Sequence, residues 1–456
     1  MAEISRGPEL MEKIVSLCKR RGFIFPGSEI YGGLANSWDY GPLGVELKNN
    51  IKQMWWKMFV TRRPDMVGVD AALIMNPKVW EATGHVATFS DPMVECKACH
   101  ARLRVDNLEG VVLDSSAEGG WNLSAAKCSI CGKKEFGIPK QFNMMLRTWL
   151  GPVQDDSAVV YMRPETAQAM FVNFKNVLES TRRRLPFGIA QSGKAFRNEI
   201  TPGNFIFRQR EFELMELEYF IRPENWEASF EHWLGQMKLW LKTLGIADER
   251  LHYVEISDED RAFYSKRTVD VEYDYPFGQK ELYGLAYRTD YDLGKHEAFS
   301  GQELKYSNPD DQKEKFVPHV IEPAFGVDRS VLVSLLEAYH EEITDDELRV
   351  SLRFPYWMAP IKVAVLPLSK KEELSVPARE LAQTLRDADI VVEYDETQSI
   401  GKRYRRQDEI GTPFCVTFDF DSLTDGMVTV RDRDSMEQAR VPIAGIVAEI
   451  KNRLQK

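Results

Sequence analysis

Apolar residues recur with helical spacing in some segments of the chain and with strand spacing in others. The helical period of about 3.6 residues predicts four amphipathic helices, over 9–21, 44–62, 165–184 and 226–244. The nearly continuous apolar run MVGVDAALIMN predicts a buried strand over 66–76 that ends at Pro77. Residues 320–340 begin with strand alternation and continue with helical spacing, which predicts a strand followed directly by a helix.

Strands and helices alternate beyond the segment PYWMAP (355–360). The pattern there predicts a last helix near the end of the chain, strands over 362–366, 390–394, 414–420 and 427–431, and helices over 376–388 and 402–410. The last two strands are close enough for a hairpin, so we expect a mixed sheet. We therefore predict one domain over 1–358, with a cysteine-containing insertion over 92–140, and a C-terminal α/β domain over 359–456.

The length of 456 residues exceeds one ordinary hydrophobic core, which favours two or three domains. The net charge of −11 argues against nucleic-acid binding driven by overall charge, although a local basic patch is compatible with it. No apolar run approaches the ~20 residues that span a bilayer, and the first residues form no apolar signal segment. We therefore expect a cytoplasmic protein without a membrane partner.

The segment SGKAFRNEITPGNFIFRQREFELMELEYF (192–220) combines hairpin alternation with charges of both signs. If 208–220 is extended, one face carries Arg208, Arg210, Phe212, Leu214, Glu216 and Glu218. The plainer interpretation is a solvated sheet face with cross-strand ion pairs. A ligand platform is favoured, because unpaired buried charge is costly and a solvent face rarely carries Phe212 and Leu214.

Four of the six cysteines form two CxxC pairs, Cys96 with Cys99 and Cys128 with Cys131, separated by 28 residues. Four thiolates in two such pairs are typical of a tetrahedral structural Zn²⁺ site, whose filled coordination shell leaves no position for catalysis. The alternative is four reduced thiols in a loop. His100 is not expected to be a ligand.

A basic cluster near the C-terminus surrounds one aromatic residue, and its members are Lys402, Arg403, Tyr404, Arg405, Arg406, Arg431 and Arg433. Cations interleaved with an aromatic ring suit single-stranded RNA, in which phosphates need positive charge and bases stack. The alternative is a solvated helix face on which Asp408 and Glu409 are the ion-pair partners.

Three segments together resemble the signature motifs of the class II aminoacyl-tRNA synthetases. FRNE (196–199), an eight-residue loop and RQREF (208–212) resemble motif 2, and FGVDRSVL (325–332) resembles motif 3. The helix over 44–62 and the strand that ends at Pro77 resemble motif 1, which in that class forms a dimer interface. The basic C-terminal cluster then resembles part of an anticodon-binding domain.

Several longer blocks resemble the glycyl-tRNA synthetases of the dimeric bacterial type, over about residues 12–445: GSEIYGGLANSWDYGPLGVELKNN, NPKVWEATGH, RPETAQ, ITPGNFIFR, KELYGLAYRTDYDLGKH and SIGKRYRRQDEIGTPFCVTFDFD. The resemblance implies an α+β fold, in which a class II antiparallel-sheet catalytic domain carries a zinc-ribbon-like insertion and precedes an α/β anticodon-binding domain. It further implies a homodimer that uses glycine, ATP with Mg²⁺ and tRNA(Gly).

The resemblance also implies roles for individual residues. By this resemblance the catalytic residues are Arg197 and Arg329. Arg197 would bridge the α-phosphate and the glycine carboxylate, and Arg329 would contact the γ-phosphate and lie over the adenine. The implied ATP site comprises these two arginines and Asn198, Glu199, Phe207, Arg208, Gln209, Arg210, Glu211, Phe212, Glu281, Leu282, Gly326, Val327 and Asp328, with Glu281 as an Mg²⁺ ligand. The implied glycine site comprises Arg104, Glu165, Phe212, Glu213, Leu214, Met215, Glu216, Glu322, Pro323, Ala324, Phe325 and Gly326.

Two of these residues have plainer interpretations, and two positions depart from the family pattern. Glu165 lies at a predicted helix start, where a carboxylate is favourable without any ligand. Arg104 could be a solvated basic residue beside the cysteines. Ala324 stands where the family usually has Ser, and Ala169 where it usually has Gly.

Two other functions compete with glycine activation. One is a different class II synthetase of the threonyl, prolyl or histidyl type, which the blocks RPETAQ and NPKVWEATGH disfavour. The other is a non-catalytic accessory protein, such as the processivity subunit of mitochondrial DNA polymerase. Intact Arg197, Glu199, Arg208, Phe212 and Arg329 argue against it.

Overall fold

The computed structural model of the protein describes residues 7–199, 203–311, 313–344 and 346–455. The first three residues of the loop predicted over 200–207 therefore lie outside the described residues. Among the helices of the described ranges, none has the length and apolarity required to cross a membrane.

The N-terminal third combines two long helices with many short strands. Its elements are α1 (Pro8–Arg21), β1 (Ile24–Pro26), β2 (Trp38–Tyr40), α2 (Pro42–Trp56), β3 (Met66–Gly68), α3 (Lys78–Ala82), α4 (His85–Thr88), β4 (Ser90–Glu95), β5 (Arg102–Arg104), β6 (Val112–Leu113), β7 (Trp121–Asn122), β8 (Lys140–Asn143), β9 (Arg147–Trp149) and β10 (Val159–Tyr161). The predicted helix over 9–21 is confirmed as α1, which stops where Gly22 takes a φ of +78°. The next predicted helix is α2, continued by one π-helical turn over Lys57–Thr61.

The middle of the chain supplies the long strands. Its elements are α5 (Ala167–Val172), α6 (Phe174–Thr181), β11 (Phe187–Phe196), β12 (Glu211–Ile221), α7 (Trp226–Thr243), β13 (Leu251–Glu255), β14 (Arg267–Tyr275), β15 (Gly278–Thr289), α8 (Tyr291–Ser300), β16 (Tyr306–Ser307), β17 (Lys315–Phe316), β18 (His319–Gly326), α9 (Val327–Ala338), β19 (Tyr339–Thr344) and β20 (Glu347–Leu352). The predicted strand-to-helix junction over 320–340 is confirmed as β18 and α9.

Seven strands form one sheet in the order β13-β14-β15-β18-β12-β11-β3, antiparallel except for the parallel pair β11 and β3. Aromatic side chains from α2, α7 and β18 fill the main core, where the ring of Phe325 lies 5.8 Å from that of Trp55 and 5.4 Å from that of Phe59. Helices α5 and α8 contribute Phe171 and Leu293 to a second core. The mixed helix-and-sheet architecture confirms the predicted α+β fold.

Three predicted elements differ from the structure. The strand predicted over 66–76 is wrong beyond β3, because only three residues pair with β11 at the sheet edge and the following apolar side chains, such as Leu73, are exposed. The helix predicted over 165–184 is two helices. Asn173 separates them and donates its side-chain amide to the Ala169 carbonyl (2.8 Å), competing with the helical backbone bonds. Strand β12 begins at Glu211, so Arg208 and Arg210 are not part of it.

The C-terminal segment forms a five-stranded sheet in the order β22-β21-β23-β24-β25, with its own hydrophobic core. The sheet contains parallel and antiparallel pairs, so the predicted mixed sheet is confirmed. The elements of this segment are β21 (Val363–Pro367), α10 (Glu372–Asp387), β22 (Val392–Tyr394), α11 (Ile400–Ile410), β23 (Phe414–Phe418), α12 (Ser422–Asp425), β24 (Met427–Asp432), β25 (Gln438–Pro442) and α13 (Ile446–Arg453). Strand β25 was not predicted. Ion pairs tie α11 to the preceding part of the chain: Asp408 accepts from Arg349 (2.8 Å) and Glu409 accepts from Arg21 (2.7 Å).

Candidate active site and metal centre

A cavity of about 540 Å³ lies against one face of the seven-stranded sheet, over β12, β15 and β18. Most residues of the predicted ATP and glycine sites line it: Glu165, Arg197, Glu199, Phe207, Arg208, Gln209, Phe212, Glu213, Leu214, Glu216, Glu281, Leu282, Glu322, Ala324, Gly326, Asp328 and Arg329. These residues are up to 164 positions apart (165 to 329), and the adjacent strands bring them to one surface.

Eight predicted site residues do not line this cavity: Arg104, Asn198, Arg210, Glu211, Met215, Pro323, Phe325 and Val327. Met215 and Phe325 are paired across β12 and β18 and belong to the main core, so their side chains point to the other face. Val327 is likewise buried in that core. Strand alternation therefore turns the side chains of Met215 and Phe325 away from the cavity.

The charged members of that group are held elsewhere. Arg210 donates to the backbone carbonyls of Glu199 (3.0 Å) and Ala35 (2.9 Å), and Glu211 accepts from Lys194 (2.6 Å). Arg104 donates to Asp91 (3.1 Å) and to Asp106, inside the insertion. Arg104 is therefore partly buried and ion-paired, and it is not the solvated residue of the plainer interpretation.

Two guanidinium groups and two aromatic rings form one end of the cavity. Arg329 donates to the carbonyl of Glu281 (3.0 Å), lies 3.2 Å from its carboxylate, and places its guanidinium carbon 4.5 Å from the Phe207 ring centroid. The guanidinium carbon of Arg197 lies 5.4 Å from the ring centroid of Phe212. Cations beside aromatic faces suit a ligand that carries phosphates and a flat base.

Two carboxyl groups lie beside these arginines. Arg329 holds the pKa of Glu281 below its ordinary value, although burial opposes this. Asp270, which sequence reasoning missed, lines the cavity, and burial raises its pKa to about 7, with Glu281 and Glu272 adding to the rise. Mg²⁺ usually takes one or two carboxylates from a protein, so these two groups could hold it. The strand pattern TVDVEYDY (268–275) marks Asp270 as a face residue but gives no indication of its partner.

Three glutamates from three segments form the opposite, acidic end. Burial opposes the ionisation of Glu165, but His85, 3.3 Å away, together with Arg288 and Gln168 holds its pKa below the ordinary range. Burial raises the pKa of Glu216, which accepts hydrogen bonds from the Thr166 hydroxyl and backbone N–H (3.1 Å). Burial also raises the pKa of Glu322 to about 7.

Arg288 is the central cation of the acidic end, and sequence reasoning did not assign it. The side chain is buried and donates to both oxygens of Glu322 (2.9 Å each) and to both oxygens of Asp292 (2.7 and 2.8 Å). It lies 4.0 Å from the ring centroid of Tyr264. The sequence offered one indication of its importance: Arg288 lies in the block KELYGLAYRTDYDLGKH, which supports the family resemblance. That resemblance was not used to assign a role to this arginine.

Glu213 and Asp328 border the cavity, but their carboxylates belong to a network behind it. Lys48 lies 2.8 Å from Glu213 and 3.4 Å from Asp328, and Tyr40 donates to Asp328. Asp328 also accepts the backbone N–H of Glu213 (2.8 Å). This network joins α2 to β12 and α9, so these two acids position the strands that carry the ligand-facing residues.

Comparison with known proteins identifies the family of the chain that forms this cavity. The chain is 52% identical over 459 residues to the glycine–tRNA ligase of Alkaliphilus oremlandii, with 98% of each chain covered. It is 54% identical over 447 residues to that of Acetivibrio thermocellus, covering 95% of this chain and 96% of the relative. The chain belongs to the glycine–tRNA ligase family.

Two family models match parts of this glycine–tRNA ligase family member. The one described as "tRNA synthetase class II core domain (G, H, P, S and T)" matches residues 152–339, which carry most of the cavity. The one described as "Anticodon binding domain" matches residues 362–453. A further relative, the glycine–tRNA ligase of Bacillus cereus, is 50% identical over 459 residues, with 98% of this chain and 99% of the relative covered. The family predicted from the sequence motifs is thereby confirmed.

The four paired cysteines of this family member come together in the segment between β4 and β8. The sulfur atoms of Cys96, Cys99, Cys128 and Cys131 lie within 4.8 Å of one another. Cys96 and Cys131 are 3.6 Å apart at sulfur, and Cys99 and Cys128 are 3.7 Å apart. A tetrahedral Zn²⁺ with sulfur bonds of about 2.3 Å requires sulfur separations of about 3.8 Å, so the donor set fits this metal. The Nδ1 atom of His100 lies 3.1 Å from the carboxylate of Glu95.

The anticodon-binding domain does not present all the predicted RNA-binding residues. Arg403 is buried and donates to the carbonyls of Pro367 (2.7 Å) and Asp395 (3.0 Å). Arg431 is buried against both oxygens of Asp408 (2.8 and 3.0 Å). Arg433 is buried and donates to the Gly411 and Phe354 carbonyls (2.9 and 2.8 Å). The prediction that these three arginines contact RNA was wrong, because internal acceptors use their guanidinium groups.

The remaining residues of the basic cluster are nearer the surface. Lys402 is exposed and Arg405 is partly exposed. Arg406 pairs with Asp395, while Tyr404 shares a hydrogen bond with Thr417 (2.6 Å) through their hydroxyl groups. The cations that face outward on α11 in this glycine–tRNA ligase family member are therefore Lys402 and Arg405.

Proposed function

We propose that this protein activates glycine with ATP to give glycyl-adenylate and pyrophosphate, and then transfers the glycyl group to tRNA(Gly). The observation that carries the proposal is the division of one cavity into an arginine-and-aromatic end and an acidic end. The first end suits the phosphates and adenine of ATP, and the second suits the ammonium group of an amino acid.

Adenylate formation requires in-line attack of the glycine carboxylate on the α-phosphorus. The carboxylate is already anionic, so no general base is needed and catalysis rests on positioning and charge stabilisation. Arg197 belongs to the arginine-and-aromatic end but also acts electrostatically on Glu216 of the acidic end, so its planar guanidinium can serve both reacting groups. Arg329 holds the far phosphates, and Phe212 stacks on the adenine.

Glycine selection follows from the acidic end. Glu165 and Glu216 are fixed by His85 and Thr166, so they offer preset acceptors to the ammonium group. Glu322 is fixed by Arg288 from the adjacent strand. An ammonium held at fixed points leaves the α-hydrogens against the cavity wall, where an added methyl group clashes.

Two metal ions complete the proposal. Glu281 and Asp270 would hold Mg²⁺, which neutralises phosphate charge when it is bound with ATP. Cys96, Cys99, Cys128 and Cys131 would hold a structural Zn²⁺ that stabilises the insertion.

The partners and location of the protein complete the proposed function. Lys402 and Arg405 contact the anticodon arm of tRNA(Gly). The protein is a homodimer, for which the support is the exposed apolar segment at Ile30 and Tyr31, each 87% exposed, and Leu34, 63% exposed. A cytoplasmic location suits a four-thiolate site, which needs reduced cysteines.

The decisive experiment is ATP–pyrophosphate exchange with a panel of amino acids, followed by charging of tRNA(Gly). We expect exchange with glycine and at most a small fraction of that rate with alanine or serine. Exchange that depends on threonine, proline or histidine instead would identify a different synthetase. Absence of exchange with every amino acid, in folded protein supplied with ATP and Mg²⁺, would support the non-catalytic alternative.

A further inference from the structure

Glu218 lies beneath the acidic end of the cavity and has no role in the reaction described above. It follows Glu216 by two residues on β12, so both side chains project from the same face of the sheet. The residue is 0% exposed, and within the described ranges neither carboxyl oxygen has a hydrogen-bond partner. Burial raises the pKa of Glu218 well above its ordinary value, and Glu322 adds to the rise. These surroundings favour the neutral acid.

The strand register places Glu218 opposite Glu322. Glu216 pairs with Ala324 and Tyr219 pairs with Ile321 across β12 and β18, so the intervening Glu218 faces Glu322 directly. Like charges at directly opposite positions destabilise a sheet. Glu322 shares the guanidinium of Arg288 with Asp292, so a single cation serves two carboxyl groups here.

The acidic end therefore holds more buried carboxyl groups than cations. The charged or titratable groups in and around the acidic end come from β12, β15, α4, α8 and the loops between elements, and they include Glu216, Glu218, Arg288, Asp292, His296, Glu165, His85, Tyr264, Arg197 and Arg163. Burial of this much negative charge is costly, so protons stay bound until another cation arrives. Glu322 is the acid of this group that already accepts two hydrogen bonds from a guanidinium, those of Arg288 at 2.9 Å, so it loses its proton more readily than Glu218 when a second cation arrives. Burial raises the pKa of Glu322 to about 7, in keeping with this assignment.

We propose that glycine binds at this end of the cavity in exchange for a proton: Glu218 keeps its proton throughout, and Glu322 releases its proton to solvent as the ammonium group arrives. The inference rests on the proposed function, because the cation that enters is the ammonium of glycine. One positive charge enters and one leaves, so the charge of the acidic end is conserved. The only covalent change is the transfer of one proton from the Glu322 carboxyl to water and then to buffer.

The exchange has a defined dependence on pH. Below about pH 7 Glu322 is protonated and glycine must displace the proton, so the KM for glycine rises as pH falls, approaching tenfold per unit. Above that pH Glu322 is already ionised, so the KM becomes level and binding releases no proton.

The test is isothermal titration calorimetry of glycine into the full chain, in phosphate and in Tris, whose ionisation enthalpies differ. Near pH 7 we expect the heats to differ by an amount equivalent to roughly half a proton released per glycine, and near pH 8.5 to agree. Glu255→Gln, which removes an exposed carboxylate of β13, is the matched control and keeps the release. Equal heats in both buffers at pH 7 would overturn the proposal.

Two variants identify the source of the proton. Glu322→Gln should abolish the release, while Glu218→Gln should keep it, because the amide copies a neutral acid of the same size. Loss of the release in Glu218→Gln would make Glu218 the donor and overturn the assignment. If Glu322→Gln binds glycine too weakly for calorimetry, the pH profile of the glycine KM in Glu218→Gln decides, since a flat profile contradicts the proposal. Failure of the proposed function would give a different result from failure of the proton exchange, because wild-type protein would then show no glycine-dependent ATP–pyrophosphate exchange.

Discussion

Replacing Glu216 with glutamine tests the acidic end of the cavity most directly. The carboxylate accepts the hydroxyl and backbone N–H of Thr166, and its residue is 6% exposed, so the side chain has one fixed position. Glutamine keeps the size of the side chain and an oxygen for Thr166. It removes the negative charge that the ammonium of glycine would meet.

The magnitude follows from the difference between two kinds of hydrogen bond. A bond to a charged group is worth about 1.5–3 kcal/mol and a neutral one about 0.5–1.5 kcal/mol, so the substitution loses about 1–2 kcal/mol. Since about 1.4 kcal/mol is a factor of ten, the KM for glycine should rise about 5- to 30-fold. The KM for ATP should change by less than about twofold, because Glu216 lies at the opposite end from Arg329.

The assay is ATP–pyrophosphate exchange, with glycine varied at saturating ATP and then ATP varied at saturating glycine. Glu255→Gln provides the control for loss of a carboxylate, and thermal melting shows whether the fold is intact. An unchanged KM for glycine would refute the reasoning and make Glu216 a partner of Thr166 only. Equal rises in both KM values would indicate a distorted cavity instead of a lost ammonium contact.

Four further predictions address the other parts of the protein. Arg329→Ala should lower the rate of exchange about a hundred- to a thousandfold, because a donor aimed at developing charge is worth roughly 3–4 kcal/mol; near-normal exchange would remove Arg329 from the ATP site. Cys96→Ser should lose the zinc that we expect at about one per chain and loosen the insertion, while ATP binding changes little; wild-type protein that is reduced, never chelated and free of zinc by metal analysis would contradict this. Substituting alanine for both Lys402 and Arg405 should spare exchange but weaken charging of tRNA(Gly) and reduce its dependence on salt; identical charging kinetics across salt concentrations would count against an RNA contact. The pKa of Asp270 is raised to about 7 by burial, so the folded state binds more protons than the unfolded state between about pH 4 and 7, and stability without ligands should fall as pH rises through that window. Asp270→Asn should flatten this decline in melting temperature and weaken Mg²⁺ binding, and an unaltered pH profile would show that Asp270 ionises normally.

The spacing of apolar residues correctly predicted the elements that bury one continuous face. Helix α7 buries Phe230, Trp233 and Trp240 at helical spacing and ends before Gly245, as predicted. The strand over 66–76 was predicted too long, because a run of apolar residues does not show at which residue an edge strand stops pairing with the sheet. The helix over 165–184 was predicted as continuous because the competing side-chain bond of Asn173 leaves no mark on the periodicity.

The sequence by itself, through its resemblance to the class II synthetases, indicated the family and most residues that line the cavity. Its periodicity predicted the strand-to-helix junction at Gly326, because motifs and periodicity are local properties of a chain. Only the tertiary structure decided how the charges pair. It placed Arg288 between Glu322 and Asp292, and it buried Arg403 and Arg431 against internal acceptors although both appear in a basic, RNA-like pattern. The physical reason is that the cost of a buried charge depends on partners supplied by distant segments, whose positions local spacing does not contain.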